Sequence, residues 1–460
     1  MNRIKIYWID LFCGGGGTTT GIHLVGENTE VLACVNHDKN AIESHKANHP
    51  SAIHFTEDIR DFKVVQKIKN IVDNIRKKEP YVVINLWASL ECTNHSRAKG
   101  GQSRDGDSRS LANHMNIYLD ALDIDYFYIE NVTEFLDWGP IRLKSDLHES
   151  GLYSVLSLNK QGKYINIPDK TKKGTFYHPW VDSIKNKGYD YEYKICNSAD
   201  YGSYQTRERL FIQFSKKGFP ICWPDRTNAK NPEDNLFDKE LQKWNSVKEI
   251  LELGDYGKSI FNRKKPLVDK TLEVIYKGII KALKEEEDVF LYKYYGNGIN
   301  YNSVNSPAGT VTTKDRFAKI QLIFNQYKTG FCSSINEPSR TVTTTPKQNL
   351  LTFIFNPAYG GHSTSINRPC PTVIARQDKS PLYLINALMT EHGISDIYMR
   401  MLKIPELKQI QGFPKDYILK GTQAEQKKYI GNAVDVNISK ALATANTLGI
   451  LKHFESKKIA

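Results

Sequence analysis

The feature that most constrains what this chain can fold into is a largely apolar segment that runs straight into glycines. Residues 4–10 (Ile-Lys-Ile-Tyr-Trp-Ile-Asp) are followed by Leu11-Phe12-Cys13-Gly14-Gly15-Gly16-Gly17-Thr18-Thr19-Thr20-Gly21. Glycine lets the backbone turn sharply and brings bare N–H groups close to a ligand, so the segment reads as a strand, a ligand-facing turn and the start of a helix. The spacing is not Gly-x-Gly-x-x-Gly, which argues against a dinucleotide. Apolar runs then alternate with amphipathic stretches. Strands are expected at 4–10, 30–36, 52–55, 81–87, 126–130, 191–196 and 210–214, and helices near 16–26, 39–48, 62–77 and 110–122. This alternation predicts an α/β domain with a mostly parallel sheet covered on both faces, with ligands gathered at the strand C-terminal ends.

The chain has 460 residues, too many for one ordinary domain. Residues 137–187 are polar and rich in Lys and Gly, as an insertion would be. After Trp223-Pro224 the composition shifts to loops and short β-branched segments, and an internal repeat emerges. Thr310-Val311-Thr312-Thr313, Thr341-Val342-Thr343-Thr344 and Thr372-Val373-Ile374-Ala375 recur every 31 residues, with Pro307, Pro338 and Pro369 in phase. Just beyond each copy stand basic tips, Lys314 and Arg316, Lys347, and Arg376, placed as residues that track a nucleic-acid groove would be. The 63 Lys+Arg against 51 Asp+Glu give a formal charge of +12, which suits a polyanionic partner.

Seven cysteines are scattered without a Cys-x-x-Cys pair, so neither a disulfide framework nor a zinc ribbon is expected. His45 and His49 lie one helical turn apart, but no Glu follows the first. They are expected as surface residues, and no metal is expected. No apolar run reaches the roughly 18 residues of a membrane span, and no signal-peptide core opens the chain, so a cytoplasmic location without membrane contact is expected.

The chemistry sits at strand ends. The fourth strand leads into Ser89-Leu90-Glu91-Cys92-Thr93-Asn94-His95-Ser96, and the fifth ends in Glu130-Asn131-Val132. A cysteine and a carboxylate at neighbouring strand ends would face one pocket. Carbon 5 of cytosine is a poor nucleophile until a soft anion adds to carbon 6 and a carboxyl relieves the charge at nitrogen 3, and this pair could do both. Asn36-His37 after the second strand could meet a ribose and an adenine, and Asp58 could accept from an adenine amino group.

Taken in order, these motifs resemble the cytosine-5 DNA methyltransferase family. The run from Asp10 is similar to its donor-binding loop. Cys92 with Ser96 stands at its nucleophile motif, Asp107-Ser108-Arg109 follows, and Glu130-Asn131-Val132 matches its Glu-Asn-Val. Gln205-Thr206-Arg207-Glu208-Arg209 matches its Gln-x-Arg-x-Arg, and Arg400 to Glu406, Gln411-Gly412-Phe413-Pro414 and Gly431-Asn432-Ala433-Val434 resemble its last motifs. The resemblance implies a Rossmann-like methyltransferase fold with a smaller β-rich target-recognition domain. It implies residues 1–218 as the catalytic domain, 219–395 as the target-recognition domain, and 396–460 as a hinge and C-terminal segment that completes the catalytic domain.

By the same resemblance, Cys92, Glu130 and Arg207 are catalytic, and S-adenosylmethionine is the methyl donor. The donor is expected at Asp10, Phe12, Gly14, Gly16, Asn36, His37, Asp58, Ile59, Asn432 and Ala433. DNA is expected at Ser96, Gln205 and Arg209, together with the basic tips. The implied partner is double-stranded DNA, with a cognate restriction endonuclease as a further candidate and a monomer as the expected state. This chain departs from the family at Glu91, where the family has proline, at Thr93 in place of glutamine, and at Asn36 and His37 in the donor site. Two rivals follow: methylation of cytosine in RNA, and a DNA binder that has lost turnover.

Overall fold

The computed structural model describes residues 4–79, 81–91, 103–106, 111–147, 154–159, 161–234, 240–255, 257–262, 264–267 and 397–459, with residues 238, 272 and 275 and the backbones of strands within 289–401. The chain divides into two compact units. The first comprises residues 1–196, 208–224 and 439–460, and the second 197–207 and 225–438. These divisions differ from the expected boundaries at 218 and 396, and they give the turn at 197–207 to the second unit.

The first unit is built on a sheet whose seven strands among the described residues are β1 (Lys5–Leu11), β2 (Thr29–Val35), β3 (Ile53–Phe55), β4 (Val82–Ser89), β5 (Tyr126–Asn131), β6 (Tyr189–Asn197) and β7 (Glu208–Lys216). Their order is β6-β7-β5-β4-β1-β2-β3. The pairs β1/β2, β1/β4, β2/β3 and β4/β5 are parallel, and β7 runs antiparallel to β5. This is the Rossmann-like methyltransferase arrangement expected, with every expected strand present.

The sequence explains the sheet. In β1 every residue after Lys5 is buried, on both faces, as a strand covered above and below must be. Tyr7, Ile9 and Leu11 join one core with Ile84, Leu86 and Ile129. The opposite face carries Trp8, Trp87 and Tyr128, the last two stacked with ring centroids 5.4 Å apart. Helix α1 (Gly17–His23), α2 (Lys39–Asn48), α3 (Phe62–Lys78) and α4 (Met115–Ala121) fill the connections. In α3, Val64, Val65, Ile68 and Val72 are buried on one stripe, each contributing about 1.5–3 kcal/mol.

The expected insertion at 137–187 is two things. Short strand pairs join 141–143 to 166–168 and 145–147 to 154–156. The last part is instead a core helix, α5 (Tyr177–Lys185), which buries Tyr177, Trp180, Val181 and Ile184 and donates from the Trp180 indole to the Ala112 carbonyl at 2.9 Å. Spacing at i, i+3, i+4 and i+7 was present, but the surrounding Lys and Gly masked it.

In the second unit an eight-stranded sheet includes 258–259, 318–320, 351–356, 383–390 and 393–401. Helices α6 (Ile404–Ile410) and α7 (Gln423–Asn432) follow, and α8 (Val436–Ile459) enters the first unit from Ser439. The Thr-Val repeats and the tips Lys314, Arg316, Lys347 and Arg376 lie outside the described residues. Arg400 grips Glu406 through both guanidinium ends, at 2.9 and 3.0 Å, anchoring α6 to the preceding strand. No helix among the described residues is long and apolar enough to cross a membrane.

The histidines require a correction. His45 and His49, expected at the surface, are buried. His45 continues the stripe of Ala41 and Ile42 on the inner face of α2, and His49 follows as its C-cap.

Candidate active site

Parallel register lines up the C-terminal ends of five strands. Leu11 pairs with Val35 and Ala88, Val35 with Phe55, and Ser89 with Glu130. One rim therefore carries the glycine turn after β1, Asn36-His37 after β2, Asp58-Ile59 beyond β3, the approach to Cys92 after β4, and Glu130 on β5.

The glycine turn is backbone chemistry. Phe12, Gly14 and Gly16 take φ of 61°, 51° and 95°, left-handed positions of which the first is unusual for a residue with a side chain. Alternating left-handed residues turn N–H groups toward one hollow. A Cβ at Gly14 would meet only the Phe12 carbonyl, at 3.8 Å, so the approach is open. Behind the turn Asp10 is fully buried. It accepts from the Thr19 hydroxyl at 2.8 Å, and its Oδ1 has no hydrogen-bond partner among the described residues. Burial pushes this carboxyl up to about 7. The C-terminal helix reaches the same turn, where the Ser439 hydroxyl donates to the Gly17 carbonyl at 3.3 Å.

Asn36 folds its side chain back to accept the Asp38 N–H at 2.9 Å, while His37 is exposed beside it. Asp58 is exposed and paired with Arg60 at 2.7 Å, and that hydrogen bond holds its carboxyl below the ordinary carboxylate range. Any ligand amino group must share Asp58 with Arg60. Ile59 is buried, with its carbonyl taking the Tyr118 hydroxyl at 2.8 Å.

Glu130 is 7% exposed at the last turn of pleat in β5, directly opposite Ser89. Neighbouring strands lie about 4.8 Å apart, so the chain leaves for Cys92, three residues on, one strand spacing from this carboxylate. Arg209 at the start of β7 places its Nε 3.3 Å from Glu130 Oε1. A buried carboxylate is costly without such a counter-charge. The sequence assigned Arg209 to DNA, and the fold gives it this partner. Cys92, Ser96 and the segment 92–102 lie outside the described residues, as do Asp107-Ser108-Arg109.

The second unit holds the remaining motif residues in a buried polar network. Arg207, 3% exposed, donates to the carbonyls of Gly431 and Ala433 at 3.3 and 3.2 Å. Gln205 is fully buried and donates to Gln411 Oε1 and Asp435 Oδ2, both at 2.8 Å. Both of these hydrogen bonds are made inside the unit, away from its surface. Gln411 donates to the Ala433 carbonyl at 2.7 Å, and Ser203 donates to Asp435 at 2.5 Å. Burial pushes the Asp435 carboxyl above its ordinary value, against the opposing pull of these donors. Asn432 is exposed between the two carbonyls that Arg207 holds. Sequence reading missed Ser203 and Asp435, because their partners are more than 200 residues away along the chain.

The profile of the C-5 cytosine-specific DNA methylase family matches residues 6–142 and 167–447. Among curated proteins, the type II methyltransferase M.XorII of Xanthomonas oryzae pv. oryzae is 24% identical over 233 residues, which is 50% of this chain and 45% of that protein. The type II methyltransferase M.AquIA of Picosynechococcus is 22% identical over 247 residues, 53% of this chain and 86% of its own. The alignment thus spans less than half the length of M.XorII. A solved structure of S. pombe Dnmt2 methyltransferase aligns over 99% of each chain at 11% identity, with a TM-score of 0.46.

Proposed function

Because the chain belongs to the C-5 cytosine-specific DNA methylase family, we propose that it transfers a methyl group from S-adenosylmethionine to carbon 5 of a cytosine drawn out of duplex DNA. The observation that carries this reading is Glu130, buried at the rim and paired in register with the strand that leads to Cys92. A stacked base hides the ring face that a thiolate must reach, so the cytosine has to leave the helix.

Cys92 acts as nucleophile. Its sulfur forms a bond to carbon 6, and the ring electron pair is displaced toward carbon 5 and nitrogen 3. Glu130 hydrogen-bonds or protonates nitrogen 3 and so stabilises the ring while it is charged. Arg209, paired with Glu130, positions that carboxyl and must loosen its grip for a proton to be shared. After carbon 5 gains the methyl group it loses its proton to a base, the ring re-forms its double bond, and the bond to Cys92 breaks.

The rim fits the methyl donor. The glycine turn leaves the backbone at Gly14 open to a ligand carboxylate, and behind it the buried Asp10 Oδ1 is an acceptor without a hydrogen-bond partner among the described residues. When bound, the donor supplies an electrophilic methyl group from its sulfonium. Asn36, His37, Asp58 and Ile59 would meet its ribose and adenine. Arg207 acts on the backbone, holding the Gly431–Ala433 segment whose Asn432 resembles a donor contact. The excess of positive charge suits the DNA backbone, and Ser96 with the basic tips Lys314, Arg316, Lys347 and Arg376 would contact it. The type II relatives suggest membership of a restriction-modification system.

Methyl incorporation into duplex DNA and into transfer RNA, followed by methylome sequencing of cells expressing the chain, tests the proposal. 5-Methylcytosine within one defined DNA sequence is expected. Incorporation into transfer RNA alone would overturn the substrate, and none into either would overturn the activity.

A further inference from the structure

Behind the donor-side edge of the sheet lies a cluster that methyl transfer does not use. Cys34 of β2, His45 of α2 and His54 of the edge strand β3 each turn a ligand atom inward, and the three atoms lie within 4.8 Å of one another. Cys34 and His45 are fully buried, and His54 is half-buried. His45 Nδ1 is 2.9 Å from His54 Nε2, and His45 Nε2 is buried without a hydrogen-bond partner. We propose that Cys34, His45 and His54 form a binding site for a zinc-like divalent cation.

The tautomers carry the reasoning. The Ala52 backbone hydrogen-bonds the His54 ring, and because the Ala52 N–H is spent on the His49 carbonyl at 3.3 Å, it is the Ala52 carbonyl that accepts and a ring N–H that donates. With Nε2 facing His45, that N–H is on Nδ1, and Nε2 keeps its lone pair. A metal-bound imidazole is commonly oriented by such a donation to a backbone carbonyl. If His45 carries its proton on Nε2, two lone pairs face each other at 2.9 Å, a geometry that a cation stabilises. If it carries the proton on Nδ1, a bare and buried Nε2 is left over. Either arrangement leaves a buried His45 nitrogen or a pair of facing lone pairs unsatisfied; a cation at Nδ1 relieves the facing lone pairs, and the Nε2–H then has no acceptor among the described residues.

The donor set selects the ion class. One thiolate with two imidazoles is a borderline-soft set suited to zinc, and three protein ligands leave a fourth tetrahedral position for solvent. At bond lengths of about 2.0–2.3 Å, tetrahedral ligand atoms stand roughly 3.3–3.6 Å apart. The longest separation, at most 4.8 Å, must therefore shorten by up to about 1.2–1.5 Å while the 2.9 Å between the imidazoles opens slightly, and the half-buried His54 on the sheet edge supplies both the slack and the entry path. A bound ion would tie β2 and β3 to α2 just behind Asn36-His37, stiffening the rim where the donor is proposed to sit.

The test uses the full chain, stripped with a chelator and titrated with Zn²⁺ in a calorimeter and with Co²⁺ in a spectrophotometer. One equivalent of Zn²⁺ should bind and raise the melting temperature. Co²⁺ should give a thiolate-to-metal absorption band. Cys34→Ala should abolish the band, and both Cys34→Ala and His54→Asn should weaken Zn²⁺ binding at least tenfold, whereas Cys92→Ala should leave binding and band intact. His54 is half-buried on the edge strand, so His54→Asn is expected to fold, and the test survives if Cys34→Ala does not. No stoichiometric binding, binding unaffected by His54→Asn, or loss of the band in Cys92→Ala would overturn the site. None of these readouts depends on methyl transfer.

Discussion

Two turns that follow strands in this protein are held by opposite means. The glycine turn after β1 is specified by backbone conformation, with three left-handed residues within five positions and one fully buried carboxylate behind them. The turn at 197–207 is specified by side chains, with Ser203, Gln205 and Arg207 tied to Gln411, Gly431, Ala433 and Asp435. The first needs residues that lack side chains, and the second needs polar side chains withdrawn from water. The backbone-built turn spends the N–H groups of Cys13 and Gly16 on the Val35 and Cys13 carbonyls but keeps an open approach at Gly14, whereas the side-chain network spends its donors on the protein itself.

Substitutions can break this contrast. The largest effect is expected in the network. Asp435→Ala strips the acceptor from Ser203, Gln205 and the Asn437 N–H and removes the counter-charge near buried Arg207, so denaturant unfolding should show a loss of about 3–5 kcal/mol. In the glycine turn, Gly16→Ala forces a Cβ onto φ 95° and should cost about 1–3 kcal/mol, with weaker S-adenosylmethionine binding by calorimetry. Gly14→Ala, at φ 51° with open space around it, should cost less. Equal costs at the two glycines would show that the turn is not governed by backbone conformation.

Arg207→Lys tests the network's geometry. An ammonium group cannot replace the planar fork that reaches two carbonyls, so a loss of about 1–2 kcal/mol is expected, and a neutral result would mean that charge alone suffices. The smallest effect is the pH dependence of Asp435. Its carboxyl is raised by burial, so the folded state holds the proton more tightly than the unfolded one. Its contribution is complete below the ordinary 3.8 and is lost as pH rises through the folded value. Unfolding of wild type and Asp435→Asn across this range should show wild type losing stability relative to the variant by at most about 1.4 kcal/mol per pH unit. Parallel curves would contradict the burial argument.

What the sequence disclosed follows the same division. Strands and the glycine turn were legible because apolar runs and glycines are local signals. Gln205 and Arg209 were recognised as motif residues, but their partners Gln411, Asp435 and Glu130 were not, since these are close only in the fold. The histidines misled for another reason. His45 occupies the apolar stripe of α2 and His49 caps that helix, so stripe position was the available sign of burial for the first, while His54 comes from a separate strand that no spacing rule connects to them. Helix α5 was hidden by the polar residues around it.

Covalent capture on duplex DNA containing 5-fluorocytosine tests the central claim most directly. Fluorine cannot leave carbon 5 as a proton does, so the Cys92–carbon 6 bond should persist after methyl transfer. Wild type with S-adenosylmethionine should form a denaturation-resistant complex, and folded Cys92→Ser should form none. A complex of equal yield with Cys92→Ser, or methylation at the wild-type rate by that variant, would contradict the account.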